Sequence, residues 1–225
     1  MLQRLKQLLA GFREFIRRHI YRRRSPEIII TRPLTADDLN LPPHPVQVHS
    51  ITDEWLGPLR EFAARVTGKG QNVSAWTEWS LANGYKGYLG VLDGRVVGCV
   101  WYGTRQTPVE HPSVRRLRID LRDDDAYMYA LYVDPEARGG GIGTHLVAAL
   151  HAGLYAAGCR RVVAYVLKNN APARAIYRRM GYTEGHHRPS SCLFGRLYWY
   201  DTGLFVDYWP EGLNQPLDMR PLLGR

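Results

Sequence analysis

A run of glycines between a predicted strand and a predicted helix is the part of this sequence best suited to bind a ligand. The strand ends at Asp134-Pro135, and Arg138 follows it closely. The glycines are Gly139, Gly140, Gly141 and Gly143. The first N–H groups of a helix lack intrahelical partners and lie at the positive end of its dipole. Glycine lets a phosphate approach the backbone, and arginine supplies a cation beside it. The segment therefore predicts a pyrophosphate-binding loop.

Two common nucleotide-binding motifs do not fit this loop. A P-loop needs Gly-Lys followed by Ser or Thr, and the loop contains no lysine. The dinucleotide motif G-x-G-x-x-G fails because its last position holds Thr144, or Leu146 when the count begins at Gly141. The pattern that remains is Arg-x-x-Gly-x-Gly, formed by Arg138, Gly141 and Gly143.

A second segment makes the pattern more specific. Residues 170–177 read Asn-Ala-Pro-Ala-Arg-Ala-Ile-Tyr, and the segment closes in Met180-Gly181-Tyr182. Together with the loop and the strand ending Leu-Tyr-Val-Asp-Pro, it resembles the coenzyme A-binding region of the GNAT (GCN5-related N-acetyltransferase) superfamily, over roughly residues 88–182. The resemblance implies an acyl-CoA-dependent N-acyltransferase. It also implies an α/β GNAT fold, with a mixed and partly parallel central sheet flanked by helices.

The resemblance further implies where acetyl-CoA, the co-substrate, would bind. The strand over 127–133 would splay from its parallel neighbour at 161–166, and the pantetheine arm would pair with main-chain groups in the gap. Asn170 would contact the arm from the other side, although it also suits a helix N-cap. The residues implied to bind are Leu131, Tyr132, Val133, Arg138, Gly139, Gly140, Gly141, Ile142, Gly143, Thr144 and Asn170. No metal is expected.

Acetyl transfer to an amine sets three chemical requirements. An amine with a pKa near 10.4 must lose a proton before it attacks, the oxyanion needs a hydrogen-bond donor, and the thiolate needs an acid. Main-chain N–H groups on the splayed strand suit the oxyanion. Tyr177 matches the position where many family members place the acid, and its alternative role is helix packing on the sheet.

The general base is left open by the sequence. Asp123, Asp124 and Asp125 precede the central strand, where they could equally form a solvated loop, and Glu78 is another candidate. His186 and His187 are adjacent on a predicted strand and point to opposite faces, which argues against a shared metal.

Hydrophobic spacing predicts the elements that hold these residues. Strands are expected at 27–31, 88–92, 95–102, 126–133 and 161–166, with Asp93-Gly94 as a type I′ hairpin turn. Helices are expected at 51–66, 74–81, 141–157 and 171–180. Residues 114–121 suggest a strand or a loop, and 192–208 suggest one or two strands.

The net charge of +9 is concentrated in residues 1–24, where eight lysines and arginines accompany one acid, Glu14. The nearly neutral remainder argues against nucleic-acid binding. Apolar residues in this segment recur at helical spacing, so a basic amphipathic helix is predicted. Docking on the body or on another subunit and contact with an anionic membrane are its alternative uses.

The domain expected over 27–208 is therefore an N-acetyltransferase, followed by a tail over 209–225. Its expected partner is an amine of a small molecule or amino sugar, and exposed tail strands suggest a homodimer. Cys99, Cys159 and Cys192 show no zinc spacing, which favours a cytoplasmic protein with membrane association as an alternative. The alternative function is a catalytically silent CoA-binding sensor or scaffold, tethered through the basic helix.

Overall fold

The computed structural model describes residues 21–23, 27–67, 72–188, 190–193, 196–199 and 205–207. Its main feature is a seven-stranded sheet with the order β3-β4-β5-β6-β7-β2-β8, in which only β6 and β7 are parallel. The strands are β2 (Glu27–Pro33), β3 (Gln47–Ser50), β4 (Lys86–Leu92), β5 (Arg95–Thr104), β6 (Asp125–Val133), β7 (Arg161–Leu167) and β8 (Thr183–Arg188). The mixed sheet predicted from the sequence is confirmed.

Within the described ranges five α-helices accompany the sheet, and alternate residues of β6 point to its two faces. The helices are α1 (Leu56–Val66), α2 (Val73–Ala82), α3 (Pro112–Leu117), α4 (Ile142–Ala156) and α5 (Ala171–Arg179). Ala126 and Met128 pack in a core cluster with α4 and α5 residues. Tyr127 and Tyr129 pack in a second cluster with residues of α1, α2 and α3. Burial of both faces explains why β6, after Asp125, consists of apolar and aromatic residues.

The β4–β5 hairpin turns at Asp93 and Gly94, as predicted. Both residues have positive φ angles, 51° and 75°, as a type I′ turn requires. The hairpin brings β4 and β5 into the sheet, and β5 then pairs with β6. β5 is therefore one of the two strands that flank β6.

The prediction of a strand or loop over 114–121 is wrong for residues 114–117, because α3 occupies Pro112–Leu117, whereas residues 118–121 form a loop. Pro112 suits the first helical turn, and the Nδ1 atom of His111 accepts a hydrogen bond from the Ser113 N–H at 3.0 Å. Arg118 ends the helix with a left-handed φ of 50°. Val114 and Leu117, three residues apart, place one apolar face in the second core cluster.

The ends of the chain differ from the prediction in two respects. Residues Tyr21–Arg23 form β1 rather than helix and pair antiparallel with β9 (Ser190–Leu193). The tail adds β10 (Arg196–Trp199) and β11 (Phe205–Asp207), giving a four-stranded sheet in the order β1-β9-β10-β11. The rest of the predicted basic helix over 1–24, namely residues 1–20 and 24, and the predicted tail over 209–225 lie outside the described residues.

Two further observations concern cysteines and helix length. Cys99 and Cys159 are buried free thiols. None of the helices in the described ranges is both long enough and apolar enough to cross a membrane.

Candidate active site

β6 separates from its parallel neighbour β7 part-way along its length. Backbone pairing runs from Asp125–Arg161 to Tyr127–Val163, whereas β6 continues to Val133. Beyond that point the facing edges of the two strands diverge, as the sequence resemblance implied. We call the resulting gap the slot. Main-chain N–H and C=O groups along such an edge can pair with an extended ligand, much as an added strand would.

A β-bulge interrupts β6 beside the slot. Tyr129 pairs with Trp101 and Tyr132 pairs with Cys99, so β6 has one residue more than β5 between these pairs. Ala130 lies in this interval with a φ of 50°, a left-handed conformation that is unfavourable for a residue with a Cβ atom. Bulges re-aim backbone groups, and such strain is often found at functional sites. Sequence analysis did not identify Ala130.

The glycine loop, residues 134–144, lies at the end of the slot where β6 stops. A short 3-10 helix over Pro135–Ala137 leads to Gly139 and Gly141, which have φ angles of 98° and 77°. Gly141 occupies the N-cap position of α4 and has no side chain to satisfy the first N–H groups of the helix. The space around the Cα atoms of Gly139 and Gly140 is open, with no atom within 4 Å of a Cβ built there. An anion can therefore reach the backbone.

Asp134 anchors the start of the glycine loop. Its buried carboxylate accepts hydrogen bonds from the Glu136 N–H at 3.1 Å, Arg65 Nε at 3.0 Å and Arg95 Nη2 at 3.2 Å. Burial alone would raise the pKa of Asp134, but these hydrogen bonds and the charges of the two arginines hold the pKa below its ordinary value. Arg65 also donates to the Val96 carbonyl at 2.8 Å, which links the loop to α1 and β5.

Comparison with known sequences shows the family of the chain. The sequence model of the Acetyltransferase (GNAT) family matches residues 50–182. The chain belongs to this family. Mycothiol acetyltransferase from Saccharomonospora viridis is 33% identical over 138 residues, which cover 61% of this chain and 40% of that protein. The same enzyme from Amycolatopsis mediterranei is 32% identical over 105 residues, covering 47% and 32%. The chain thus spans less than half the length of these relatives.

Solved structures support the same GNAT fold. A GCN5-related glucosamine N-acetyltransferase region of a fungal multi-domain β-N-acetylglucosaminidase has a TM-score of 0.58 and 18% identity, covering 82% of this chain and 22% of that one. A GCN5-related N-acetyltransferase from Sphaerobacter thermophilus has a TM-score of 0.53 and 15% identity, covering 89% and 59%. At these identities the similarity establishes the fold alone.

The second GNAT-like segment forms α5 and its N-cap. Asn170 caps the helix, because its side-chain oxygen accepts a hydrogen bond from the Ala173 N–H at 3.3 Å. Tyr177 is half-buried against the first core cluster, with its ring centroid 5.2 Å from that of Tyr182. Burial, and then the neighbouring Tyr165, raise the pKa of Tyr177 to about 12. Its hydroxyl is consequently protonated at neutral pH.

Tyrosines from three elements lie near the slot. Tyr132 belongs to β6, Tyr165 to β7 and Tyr177 to α5. Burial raises the pKa of Tyr132, with further contributions from Cys99 and Tyr165. Tyr165 raises the pKa of both Tyr132 and Tyr177, so it lies close to each of them. Tyr132 and Tyr165 pack with the second core cluster, whereas Tyr177 packs with the first.

Three of the four carboxylates considered as a general base form ion pairs, namely Asp123, Asp125 and Glu78. Asp125 is fully buried and binds Arg161 through two contacts, Nε–Oδ1 at 2.7 Å and Nη2–Oδ2. Although burial opposes ionisation, the Arg161 hydrogen bonds and the Arg122 N–H keep the pKa of Asp125 below its usual value. A carboxylate held in this way is a weak proton acceptor. It also lies where β6 and β7 are still paired.

Asp123, Asp124 and Glu78 are exposed. Asp123 lies 3.6 Å from Arg105. Glu78 makes a two-pronged contact with Arg60 at 2.7 and 3.0 Å, and the Arg60 hydrogen bonds lower its pKa. Within the described part of the chain, no group of three or more potential metal ligands comes together. The side chains of His186 and His187 lie outside that part.

Proposed function

We propose that this protein transfers an acetyl group from acetyl-CoA to an amine of a small molecule or amino sugar. The observation that carries the proposal is the meeting of two features at one end of β6. Along the slot β6 is not paired with β7, which leaves main-chain groups for an extended pantetheine arm, and the open glycine loop at its end suits a pyrophosphate. GNAT membership over 50–182 supports the same activity.

In this proposal the main chain makes most of the contacts with acetyl-CoA. Leu131, Tyr132 and Val133 offer backbone groups to the pantetheine arm, and Asn170 approaches it from α5. The loop residues from Arg138 to Thr144 hold the pyrophosphate. Arg138 is exposed, and its Nε donates to the Val133 carbonyl at 3.3 Å, so the guanidinium stays beside the loop. Bound co-substrate supplies the activated acyl thioester.

The reaction needs one new bond and one broken bond. The amine nitrogen, after losing its proton, attacks the thioester carbonyl, the C–N bond forms, and the C–S bond then breaks. A main-chain N–H at the Ala130 bulge is the proposed donor to the oxyanion, because the bulge turns backbone groups out of the β-ladder. Tyr177 is the proposed acid that returns a proton to the CoA thiolate.

The acceptor is proposed to be a small molecule rather than a protein. This rests on the mycothiol acetyltransferases that match part of the chain. The amine must enter the slot beside Tyr132 and Tyr165, whose half-buried phenols offer hydrogen-bonding groups without a fixed charge. A polar, hydroxyl-bearing amine suits such a wall.

The test is release of free CoA thiol from acetyl-CoA in the presence of a panel of amino sugars, mycothiol-related amines and simple diamines. Amine-dependent thiol release that saturates with both substrates supports the proposal. Saturable acetyl-CoA binding without turnover on any amine would instead support the silent CoA-binding sensor.

A further inference from the structure

The glycine loop can bind a phosphate only if its N–H groups face outward, and its carbonyls must then be turned toward the protein. A hydrogen-bond donor on the protein side would hold such a carbonyl in that direction. The Gly140 carbonyl has one, because it lies 2.9 Å from the Nε2 atom of His44. His44 belongs to the connection before β3, 96 residues away in sequence.

The tautomer of His44 follows from its second contact. The Val46 N–H points at His44 Nδ1 across 3.1 Å, so Nδ1 is the acceptor. The neutral ring therefore carries its hydrogen on Nε2, which donates to Gly140. The His44 Nε2–H is therefore the donor, and the Gly140 carbonyl oxygen is the acceptor.

The orientation of the His44 ring is also constrained. Pro43 precedes it and Pro45 follows it, which limits the backbone on both sides. The ring stacks on His145 of α4, with centroids 4.4 Å apart and an interplanar angle of 15°. His145 is itself 8% exposed and forms part of the first turns of α4. His44 is thus a rigid contact rather than a flexible surface side chain.

The direction of one loop N–H follows from peptide geometry. The Gly140–Gly141 peptide is trans, since the described chain contains no cis peptide. In a trans peptide the C=O and the following N–H point in opposite directions. With the Gly140 carbonyl fixed toward His44, the Gly141 N–H must point away from His44, toward the open side of the loop.

We propose that His44 is a positioning residue for acyl-CoA binding, which aims the Gly141 N–H at the pyrophosphate by holding the Gly140 carbonyl. This inference rests on the proposed function, because it assumes that the loop binds the pyrophosphate of CoA. His44 itself need not touch the ligand. Loss of its N–H frees the peptide to rotate and weakens a charge-assisted hydrogen bond to phosphate.

The experiment compares CoA and pantetheine binding to three variants by titration calorimetry and competition. His44→Phe keeps a ring for stacking on His145 but has no donor, whereas His44→Gln keeps a side-chain N–H of similar reach. His49→Phe is the matched control, because His49 lies on β3 and its ring contacts that of Trp55, with centroids 4.7 Å apart. We expect His44→Phe to weaken CoA binding about tenfold. Pantetheine, which has no phosphate, should bind it as it binds the wild type.

The other two variants show whether a weaker affinity for CoA is caused by loss of the His44 donor. His44→Gln should remain within about threefold of wild type for CoA, and His49→Phe should be unchanged. Wild-type affinity of His44→Phe for CoA would overturn the inference while leaving the proposed function intact. No CoA binding by the wild type would overturn both.

A measurement on the wild type covers the case in which His44→Phe does not fold. Nitrogen-15 NMR of the imidazole distinguishes a protonated Nε2 from a protonated Nδ1. The inference requires protonated Nε2 in the free protein and in the CoA complex, and protonation of Nδ1 alone would contradict it.

Discussion

Arg65, in the last turn of α1, is bonded to Asp134, the first residue after β6, with Nε and Oδ2 3.0 Å apart. The same arginine holds the Val96 carbonyl of β5. One side chain therefore joins α1 to the start of the glycine loop. A displacement of α1 must be transmitted to the loop unless this ion pair breaks.

Replacing Asp134 with asparagine tests this anchor. Asp134→Asn should lower the free energy of unfolding by about 1.5 kcal/mol at pH 7, since buried hydrogen bonds from two arginines lose their charged acceptor. CoA affinity should fall as well, because the loop loses its fixed starting point. Chemical denaturation and calorimetry measure the two effects.

The Asp134 variant also has a pH signature. The folded-state pKa of Asp134 is lowered, so its stabilising contribution is present above the unfolded-state pKa of about 3.9 and disappears as pH falls through the folded-state value. The stability difference between wild type and Asp134→Asn should therefore shrink below about pH 4. Arg60→Gln, on the same helix as Arg65, breaks the exposed ion pair with Glu78 and should leave the free energy of unfolding nearly unchanged. Equal effects of the two substitutions would refute the anchor.

Tyr177→Phe tests the proposed acid. Removal of the hydroxyl should reduce kcat about 100-fold while CoA affinity stays within about twofold, because only thiolate protonation is affected. Tyr155→Phe, on α4, is a control of the same chemistry and should be neutral. Unchanged kcat in Tyr177→Phe would remove this residue from the mechanism.

The pH dependence of kcat provides a second check on Tyr177. Its pKa is raised to about 12, so it stays protonated throughout the accessible pH range. Loss of activity at pH 9 to 10 should therefore be the same in wild type and in any residual activity of Tyr177→Phe. If the loss of activity at high pH occurred in the wild type but not in Tyr177→Phe, the pKa of Tyr177 would have to lie well below 12.

Asp125→Asn separates a structural role from that of a base. We expect a loss of about 3 kcal/mol in unfolding free energy, because the substitution leaves Arg161 without its buried anionic partner. The pH profile of kcat should keep its shape, since the amine proton does not leave through Asp125. Asp123→Asn, at an exposed site, should alter neither property. If the decline of kcat at low pH disappeared in Asp125→Asn, Asp125 would again be a candidate for the general base.

Alanine substitutions at Gly141 and Gly140 test the backbone conformation of the glycine loop. Gly141→Ala places a Cβ at a φ of 77° and should cost about 1 kcal/mol. Gly140 has no positive φ and open surroundings, so Gly140→Ala should be neutral or slightly stabilising. Thermal unfolding of both variants in the absence of ligand checks the difference, and a larger loss for Gly140→Ala would contradict the described loop conformation.

Features set by local sequence were predicted well. The Asp93-Gly94 turn, the glycine loop and α4 depend on neighbouring residues whose conformational preferences are strong. The divergence of β6 from β7 followed from the family resemblance and not from any local pattern. By contrast, β3 was missed because Gln47–Ser50 is a four-residue edge strand that pairs only with β4, and alternation in so short a segment is a weak signal.

The site residues that were missed depend on long-range contacts or on a break in periodicity. Arg65 and Asp134 are 69 residues apart, and nothing local couples them. The bulge at Ala130, however, corresponds to a pattern that can be seen in the sequence. Tyr127, Tyr129 and Tyr132 all pack toward the second core cluster, although their spacing of two and then three residues breaks strand alternation. An inserted residue between the last two restores the common face.

The most direct test of the central claim is isothermal titration of the full chain with acetyl-CoA, beside CoA and NAD. The account predicts micromolar binding of acetyl-CoA and CoA, no comparable binding of NAD, and loss of binding in Gly141→Glu, whose carboxylate would face the pyrophosphate. Absence of acetyl-CoA binding by the folded wild type, or equal binding by Gly141→Glu, would contradict it.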